Sequence, residues 1–177
     1  MIIKPLDQET LKAAILLKII AWTEELQGKM ENTLDFNQEY DFWLNWMASE
    51  QQHNDKRTLL GAFDGDRLMG AIFASFAELE DHHNAVEING LWVYQEDRGK
   101  KISYYLMNAV TTLYLSYGNE ACIVYNHHYS KSNTYYKKLG GTVMREDLQE
   151  HGQLVVDVFS FDLQKLDRLI QEKLHKT

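Results

Sequence analysis

Three cations crowd one short stretch of this chain. Arg98, Lys100 and Lys101 surround Gly99, directly after the polar turn Gln95-Glu96-Asp97 and at the start of a helix predicted over 99–117. A helix N-terminus already carries partial positive charge and unpaired N–H groups, so acidic residues are its usual occupants. Cations there oppose the dipole, and they do so in a chain whose formal net charge is −8. An anion lodged against the exposed N–H groups would satisfy the donors, the dipole and the side chains together. A phosphate is the anion such turns commonly hold. The chemistry expected of this stretch is therefore recognition of a phosphorylated ligand at the end of the strand 88–94.

The elements that must position this turn can be read from periodicity. A short apolar stretch, 1–5, reads as an edge strand, and Asp7 can cap the helix after it. Leu11, Ile15, Leu16, Ile19, Ile20 and Leu26 fall at helical spacing over 8–29, with Gly28 as a stop. After a loop at 32–37, a second helix is expected over 38–52. Phe42, Trp43, Trp46 and Met47 would face inward, and Glu39, Asp41 and Glu50 outward. Strands at 58–63, 67–79 and 85–94 form an antiparallel meander, its first turn at Asp64-Gly65 in the type I′ form and Gly70 a candidate bulge. In the helix 99–117, Ile102, Leu106, Ala109, Val110 and Leu113 make the inward stripe, and Gly118 ends it. The buried strand 120–125 comes after a helix and so implies a parallel neighbour. A short helix at 130–139 stops at Gly140-Gly141. Strands at 142–144 and 154–161 close the sheet across a charged connection, 145–152, expected to be exposed. An amphipathic terminal helix spans 163–175. The class is α+β, with a mixed, mostly antiparallel central sheet flanked by helices.

Composition bounds the partners. The 177 residues, 45% of them hydrophobic, suit one domain with a sizeable core. The acidic balance argues against a nucleic-acid surface and is compatible with a cationic substrate. The single cysteine, Cys122, lies in an apolar run and reads as a core thiol, which fits a reducing cytoplasm. No secretory pattern opens the sequence, and the longest apolar stretch, 13–22, is broken by Lys18, so no membrane span is expected. With Pro5 as the only proline and no low-complexity tract, one domain over 1–177 is expected, with 163–177 as a helical extension that covers sheet or makes a homodimer contact.

The basic turn also resembles the acetyl-CoA signature of the GNAT superfamily of N-acetyltransferases. There a strand reading L-x-V runs into a proline, two variable residues and R-G-x-G-x-G/A at a helix start. Leu91, Val93, Arg98 and Gly99 fall on matching positions. Gln95 replaces the proline, Lys101 the second glycine and Ser103 the last small residue. Downstream, Tyr135-Tyr136-Lys137-Lys138-Leu139-Gly140-Gly141 resembles the family's Y-x-K-x-G-F signature. Ser132 stands at the small residue four before the tyrosine, Tyr129 where an asparagine is common, and Gly141 in place of the aromatic. The element order is that of the family up to about Phe161.

The resemblance implies a GNAT-like fold, acetyl-CoA as cosubstrate with no metal, and an amine acceptor, either a small molecule or an exposed protein amine. It implies that Arg98, Gly99, Lys100, Lys101, Ile102 and Ser103 hold the pyrophosphate, while Leu91, Trp92 and Val93 lend backbone groups to the pantetheine arm and meet the oxyanion. Tyr136 inherits the place near the coenzyme sulfur. A phenol, still protonated at neutral pH, can protonate a departing thiolate. The reaction also needs a base, because an ammonium cannot attack. Glu87 is the candidate: strict alternation puts Glu87, Asn89, Leu91 and Val93 on one strand face. Glu78 stands in reserve, and relay through water is open in either case. A catalytically silent coenzyme-binding module is the main alternative, since Lys101 stands at a glycine position. A nucleotide fold is disfavoured by the lack of a G-x-x-x-x-G-K-[ST] loop. His82-His83 and His127-His128 read as loop histidines, because neighbours in extended chain point opposite ways. Trp22, Trp43 and Trp46 read as helix packing. Such a region walls the acceptor site in the family, where Glu24, Glu25 or Asp35 would suit an organic cation.

Overall fold

The structure, a computed structural model, describes residues 1–176. Thr177, the last residue of the predicted extension, lies outside the described residues. The elements are β1 (Ile2–Pro5), α1 (Gln8–Leu26), α2 (Phe36–Ala48), β2 (Thr58–Asp64), β3 (Arg67–Phe76), β4 (Ala85–Val93), α3 (Ile102–Ser116), β5 (Ala121–His127), α4 (Asn133–Lys138), β6 (Thr142–Gln149), β7 (Leu154–Asp162) and α5 (Leu163–His175). The strands are hydrogen-bonded in the order β1-β2-β3-β4-β5-β7-β6. The β4–β5 pair is parallel, as a strand arriving after a helix requires. The β1–β2, β2–β3, β5–β7 and β6–β7 pairs are antiparallel. This is the mixed α+β sheet the sequence predicts, terminal helix included. Among the described residues no helix is long and apolar enough to cross a membrane.

The chain forms two compact units, Met1–Ala74 with Gly90–Met107, and Ser75–Asn89 with the chain from Asn108 onward. In the first, α1 opens on a reciprocal cap. The Asp7 carboxylate accepts from Thr10 N at 2.8 Å, and Thr10 Oγ1 accepts from Asp7 N at 2.8 Å. Trp43, Phe73 and Trp92 meet edge to face, with centroids 4.8 and 5.1 Å apart, at the centre of a core that also takes Leu11, Ile15 and Leu17 from α1. Helix α2 begins at Phe36, earlier than its periodicity shows, because Asp35 caps it by accepting from Gln38 N. Glu39 is not outward: it accepts from Lys18 Nζ at 2.5 Å and from Trp43 Nε1 at 3.1 Å.

The β2–β3 turn also differs from expectation. Asp64 pairs with Arg67, so the turn residues are Gly65 and Asp66, and only Gly65 has positive φ (58°). That is a turn needing glycine at its first central position, not at both. The bulge lies beside Gly70: Gly70 pairs Ala62 and Leu68 pairs Phe63, leaving Met69 as the extra residue.

In the second unit, β5 pairs β4 from Ala85↔Ala121 to Ile88↔Val124, and pairs β7 along its whole length. Strand β6 runs on to Gln149, so much of the expected exposed connection is strand. An edge strand tolerates charge, and here the charge is organised. Arg145 reaches Asp81 at 2.5 Å, Tyr125 Oη at 2.9 Å and Asp147 at 3.0 Å, and the Tyr125 hydroxyl donates to Asp81. Glu146 and Asp157 oppose each other directly across β6–β7, and His128 Nδ1 lies 2.7 Å from Asp157 and 3.8 Å from Glu146. The hydrogen bond to the Asp157 carboxylate raises the pKa of this imidazole, which places a donor between a like-charge cross-strand pair. Helix α5 packs on β5 and β7, burying Leu163, Leu166 and Ile170. It is joined to α3 by Thr111 Oγ1 donating to Asp167 at 2.6 Å.

Gly90 tests the packing of β4. A Cβ there would stand 2.0 Å from the Trp92 indole. Gly90→Ala is expected to destabilise the fold by about 2–3 kcal/mol, read as a lower urea midpoint at unchanged slope. A wild-type midpoint would mean that the indole swings aside freely.

Candidate active site

Between β4 and α3 the chain makes the turn that the sequence singles out. Tyr94 N donates to Met69 O at 3.0 Å, fixing the end of β4 to β3. One 3-10 turn, Gln95–Asp97, comes next. Arg98 is extended, Gly99 has φ 83° and Lys101 has φ 62°. Left-handed residues cannot continue a right-handed helix, so α3 starts at Ile102 and not at the expected Gly99. Arg98, Lys100 and Lys101 thus stand ahead of the helix, with Tyr105 N donating to Lys101 O at 3.1 Å to begin it. Lys101, in a glycine position of the signature, keeps the backbone conformation that glycine adopts without strain, at a cost of about 1 kcal/mol. A Cβ at Gly99 would meet only open space, so the turn presents clear backbone at that point.

The charge balance corrects the sequence reading. Asp97, the last residue of the polar turn, is fully buried. Arg67 grips it with two nitrogens at 2.6 and 2.9 Å, and Lys100 Nζ adds a third contact at 2.8 Å. The Arg67 guanidinium, helped by Lys100, holds this carboxyl down to about 2 against the opposing effect of burial. Arg98 Nη2 pairs with Glu24 of α1 at 2.6 Å, and its Nε donates to Val93 O at 3.2 Å. Two of the three cations therefore already have carboxylates of their own, so the charges alone do not require an external anion. Lys100 finds its partner three residues away, whereas the partner of Arg98 lies 74 residues away, and the Arg67 that shares Asp97 lies 30 residues from it, beyond the reach of local patterning.

The same unit holds a cleft of about 270 Å³ beside this turn. Leu17, Ile20, Ala21 and Glu24 of α1 form one wall, and the chain from Val93 to Glu96 with Arg98 forms the other. Two of the aromatic residues that read as a wall for an organic cation face internal cations: Lys18 Nζ lies 5.1 Å from the Trp43 ring, and the Arg57 guanidinium 4.7 Å from that of Trp46.

Along β4 burial alternates as predicted, with Glu87, Asn89, Leu91 and Val93 half-buried and Val86, Ile88 and Trp92 buried. The alternation is interrupted at Gly90, half-buried like Asn89 and Leu91, and resumes in the same phase at Trp92. Trp92 itself belongs to the core of the first unit. In the second unit Glu87 lies opposite Ile123 on β5, and Asn89 Nδ2 donates to Ser75 Oγ at 3.0 Å. The neighbouring Cys122 is fully buried, and burial first, then the Glu87 charge, push its thiol pKa up, which agrees with an inert core thiol. Glu78 is not on a strand, because β3 ends at Phe76 and leaves Glu78 exposed in the loop.

Tyr136 is buried on α4, its ring 5.6 Å from Phe159 and 6.3 Å from Phe161. Helix α4 is braced by two asparagines outside the family register. Asn126 Nδ2 donates to Ser132 Oγ at 2.8 Å, and Asn133 Nδ2 donates to the carbonyls of His127 and His128 at 3.0 and 2.8 Å. Gly141 lacks the usual aromatic because the Phe161 ring fills that space: a Cβ would come within 2.6 Å of it. Register also separates Glu87 from Tyr136. Ile123 shares a sheet face with Ser160, and Phe159 and Phe161 point to the other face. Glu87 and Tyr136 therefore lie on opposite faces of the sheet.

A mixed sheet with a basic turn between its fourth strand and the next helix is the architecture of an acetyltransferase of the GNAT type. The profile of the acetyltransferase (GNAT) family matches residues 18–140, and the chain belongs to that family. Solved structures agree on the fold. The PaiA N-acetyltransferase of Thermoplasma acidophilum, in complex with coenzyme A, superposes with a TM-score of 0.71 at 21% identity, covering 91% of this chain and 98% of that one. YncA of Salmonella typhimurium, with its cofactor acetyl-CoA, gives 0.67 at 18% identity over 92% and 94%. The aminoglycoside 6'-N-acetyltransferase of Enterococcus faecium gives 0.65 at 18% identity over 92% and 97%. No curated protein matches the sequence significantly.

The turn generates two expected outcomes. The folded-state pKa of Asp97 lies below the ordinary carboxylate value, so its contribution to stability is present above about pH 4 and is lost as pH falls toward 2. Asp97→Asn should cost about 2 kcal/mol at neutral pH and flatten that acid limb in a pH series of urea melts. Lys101→Gly should raise stability by about 0.5 kcal/mol, or roughly 1–2 °C in Tm, because relief of left-handed strain exceeds the added chain entropy. A fall in Tm would show that the lysine side chain contributes more than its backbone costs.

Proposed function

We propose that this chain is an acetyl-CoA-dependent N-acetyltransferase that acts on the primary amine of a small molecule or on an exposed protein amine by direct attack. The observation that carries the proposal is the β4–α3 turn, which keeps left-handed backbone at Gly99 and Lys101 although the second position is not glycine. Strained backbone of this kind clusters at ligand-binding sites, which supports a functional reading of this turn. Family membership supports the chemistry, and the coenzyme complexes among the similar structures support acetyl-CoA as the donor. Aminoglycoside acetyltransferases of the same fold support a small cationic amine as one such acceptor.

In this reading the coenzyme supplies an activated acetyl thioester. Arg98, Gly99, Lys100, Lys101, Ile102 and Ser103 bind its pyrophosphate, and Leu91, Trp92 and Val93 offer backbone groups to the pantetheine arm. Glu87 takes the proton of the acceptor ammonium, directly or through water. Tyr136 gives its proton to the departing thiolate. The whole chain, 1–177, acts as one acyltransferase domain with a helical extension, in the cytoplasm, where Cys122 stays reduced. A silent coenzyme-binding module is the second reading, favoured by Lys101 in its glycine position.

Coenzyme calorimetry beside a thiol-release assay on a panel of amines separates the two readings. The enzyme reading predicts binding with turnover; binding without turnover on any amine supports the module. Tyr136→Phe preserves the ring packing and should lower kcat at least tenfold with Kd for coenzyme A within about threefold. An unchanged kcat removes Tyr136 from the mechanism. Arg98→Ala with Lys100→Ala should weaken coenzyme A about tenfold and leave the fold intact, since Arg67 still holds Asp97.

A further inference from the structure

Across the β6–β7 ladder Glu146 stands directly opposite Asp157, two like charges where cross-strand pairing favours opposite ones. His128, in the segment between β5 and α4, closes on both. Its Nδ1 lies 2.7 Å from Asp157 Oδ1 and 3.8 Å from Glu146 Oε1. The Asp157 side chain is only 6% exposed, against 37% for His128 and 59% for Glu146. A carboxylate has about four lone-pair positions, and burial makes each unfilled one costly. Among the described residues His128 is the one polar partner of the Asp157 side chain, on Oδ1, and Oδ2 has none. Asn126, opposite Asp157 on β5, gives its amide to Ser132 and Asn133 instead. The cluster thus has a buried anionic floor with spare acceptor capacity, and its other two members reach solvent.

We propose that His128, Glu146 and Asp157 form a binding site for a divalent transition-metal ion of the zinc type. One ligand atom from each lies within 4.8 Å of the others. Donors about 2.0–2.2 Å from a shared zinc ion stand roughly 3–3.5 Å apart. The His128–Asp157 contact therefore opens slightly and the exposed Glu146 carboxylate swings in to meet the ion. Two carboxylates balance its double charge, and water completes the tetrahedron on the exposed side. The imidazole nitrogen selects against magnesium and calcium, which take oxygen ligands. Such an ion ties β6 and β7 to the segment that enters α4, the helix of Tyr136. Asn133 Nδ2 already holds the His128 carbonyl at 2.8 Å, and Phe159, on the same face of β7 as Asp157, packs on the Tyr136 ring. The role is structural, and none of the three ligands takes part in the acetyl-transfer reading, so the site is tested apart from it.

Isothermal calorimetry on the full chain, first stripped with a chelator, tests this with Zn²⁺ and Mg²⁺ as probes. Wild type should bind a single Zn²⁺ tightly, and Mg²⁺ about a hundredfold more weakly or not at all. Co²⁺ should give the visible absorption of a four-coordinate site, which added Zn²⁺ removes. Glu146→Gln should weaken Zn²⁺ about tenfold, and His128→Gln, whose amide can still donate to Asp157, by at least as much. His83→Gln, at an exposed loop histidine, should leave the affinity unchanged. Wild type that binds no Zn²⁺, or binds Mg²⁺ equally well, overturns the proposal. A Zn²⁺ affinity unchanged in Glu146→Gln or in His128→Gln also overturns it, and assigns the ion to scattered surface histidines. Glu146 is exposed on the edge strand β6, so its variant decides alone if His128→Gln does not fold.

Discussion

The buried carboxylate of Asp97 is the constraint on which the basic turn depends. It sits fully out of solvent at the end of a 3-10 turn, with the Arg67 guanidinium across two of its hydrogen bonds and Lys100 on a third. A buried charge with this many donors cannot move without leaving a partner unpaired. Because Arg67 opens β3 and Asp97 closes the turn after β4, the clamp ties the turn to the sheet of its own unit. The backbone just beyond it, left-handed at Gly99 and Lys101, is thus set by a charge cluster beneath it as well as by its own residues. This explains how a lysine is accommodated where glycine is usual.

The same cluster changes the meaning of the cations. In an acidic chain they look like an unanswered positive patch; in the fold most of that charge is answered internally. Lys100 shares Asp97, and Arg98 reaches back to Glu24 on α1. The two contacts are unlike. The Asp97 side chain is inaccessible and its bonds are structural, whereas the Arg98–Glu24 pair is half-exposed and worth little against water. An exposed pair of this kind is one that ligands can exchange with. The turn therefore combines a buried, fixed support with one more exposed side chain.

In the second unit, the two sheet faces carry different groups. Glu87 lies on the face of Ile123, and Tyr136 packs on Phe159 and Phe161 on the other. On the Glu87 face, Arg145 joins Asp81, Tyr125 and Asp147, binding the β3–β4 loop to β5 and β6. That network stiffens the chain leading into β4, where the proposed base stands. On the Tyr136 face, the asparagine braces of α4 and the fit of Phe161 against Gly141 take over what other residues do in the family pattern. The arrangement of α4 survives the substitution of its signature residues because the space and the hydrogen bonds are supplied from elsewhere.

The sequence by itself determined the element order, the parallel β4–β5 pair, the alternation along β4 and the position of the basic turn. Each rests on short-range rules: a period of two or of 3.6, a capping residue, a glycine that stops a helix. It did not show where helix α3 begins, that β6 continues to Gln149, or that Asp97 and Glu39 turn inward. These depend on partners distant in the chain. Lys18 and Glu39 lie 21 residues apart, Arg67 and Asp97 30, Arg98 and Glu24 74. Local patterning fixes which backbone forms a helix or strand, because those hydrogen bonds close within a few residues. Which charge meets which is decided only when the helices and strands are brought together, and there the tertiary structure had to answer.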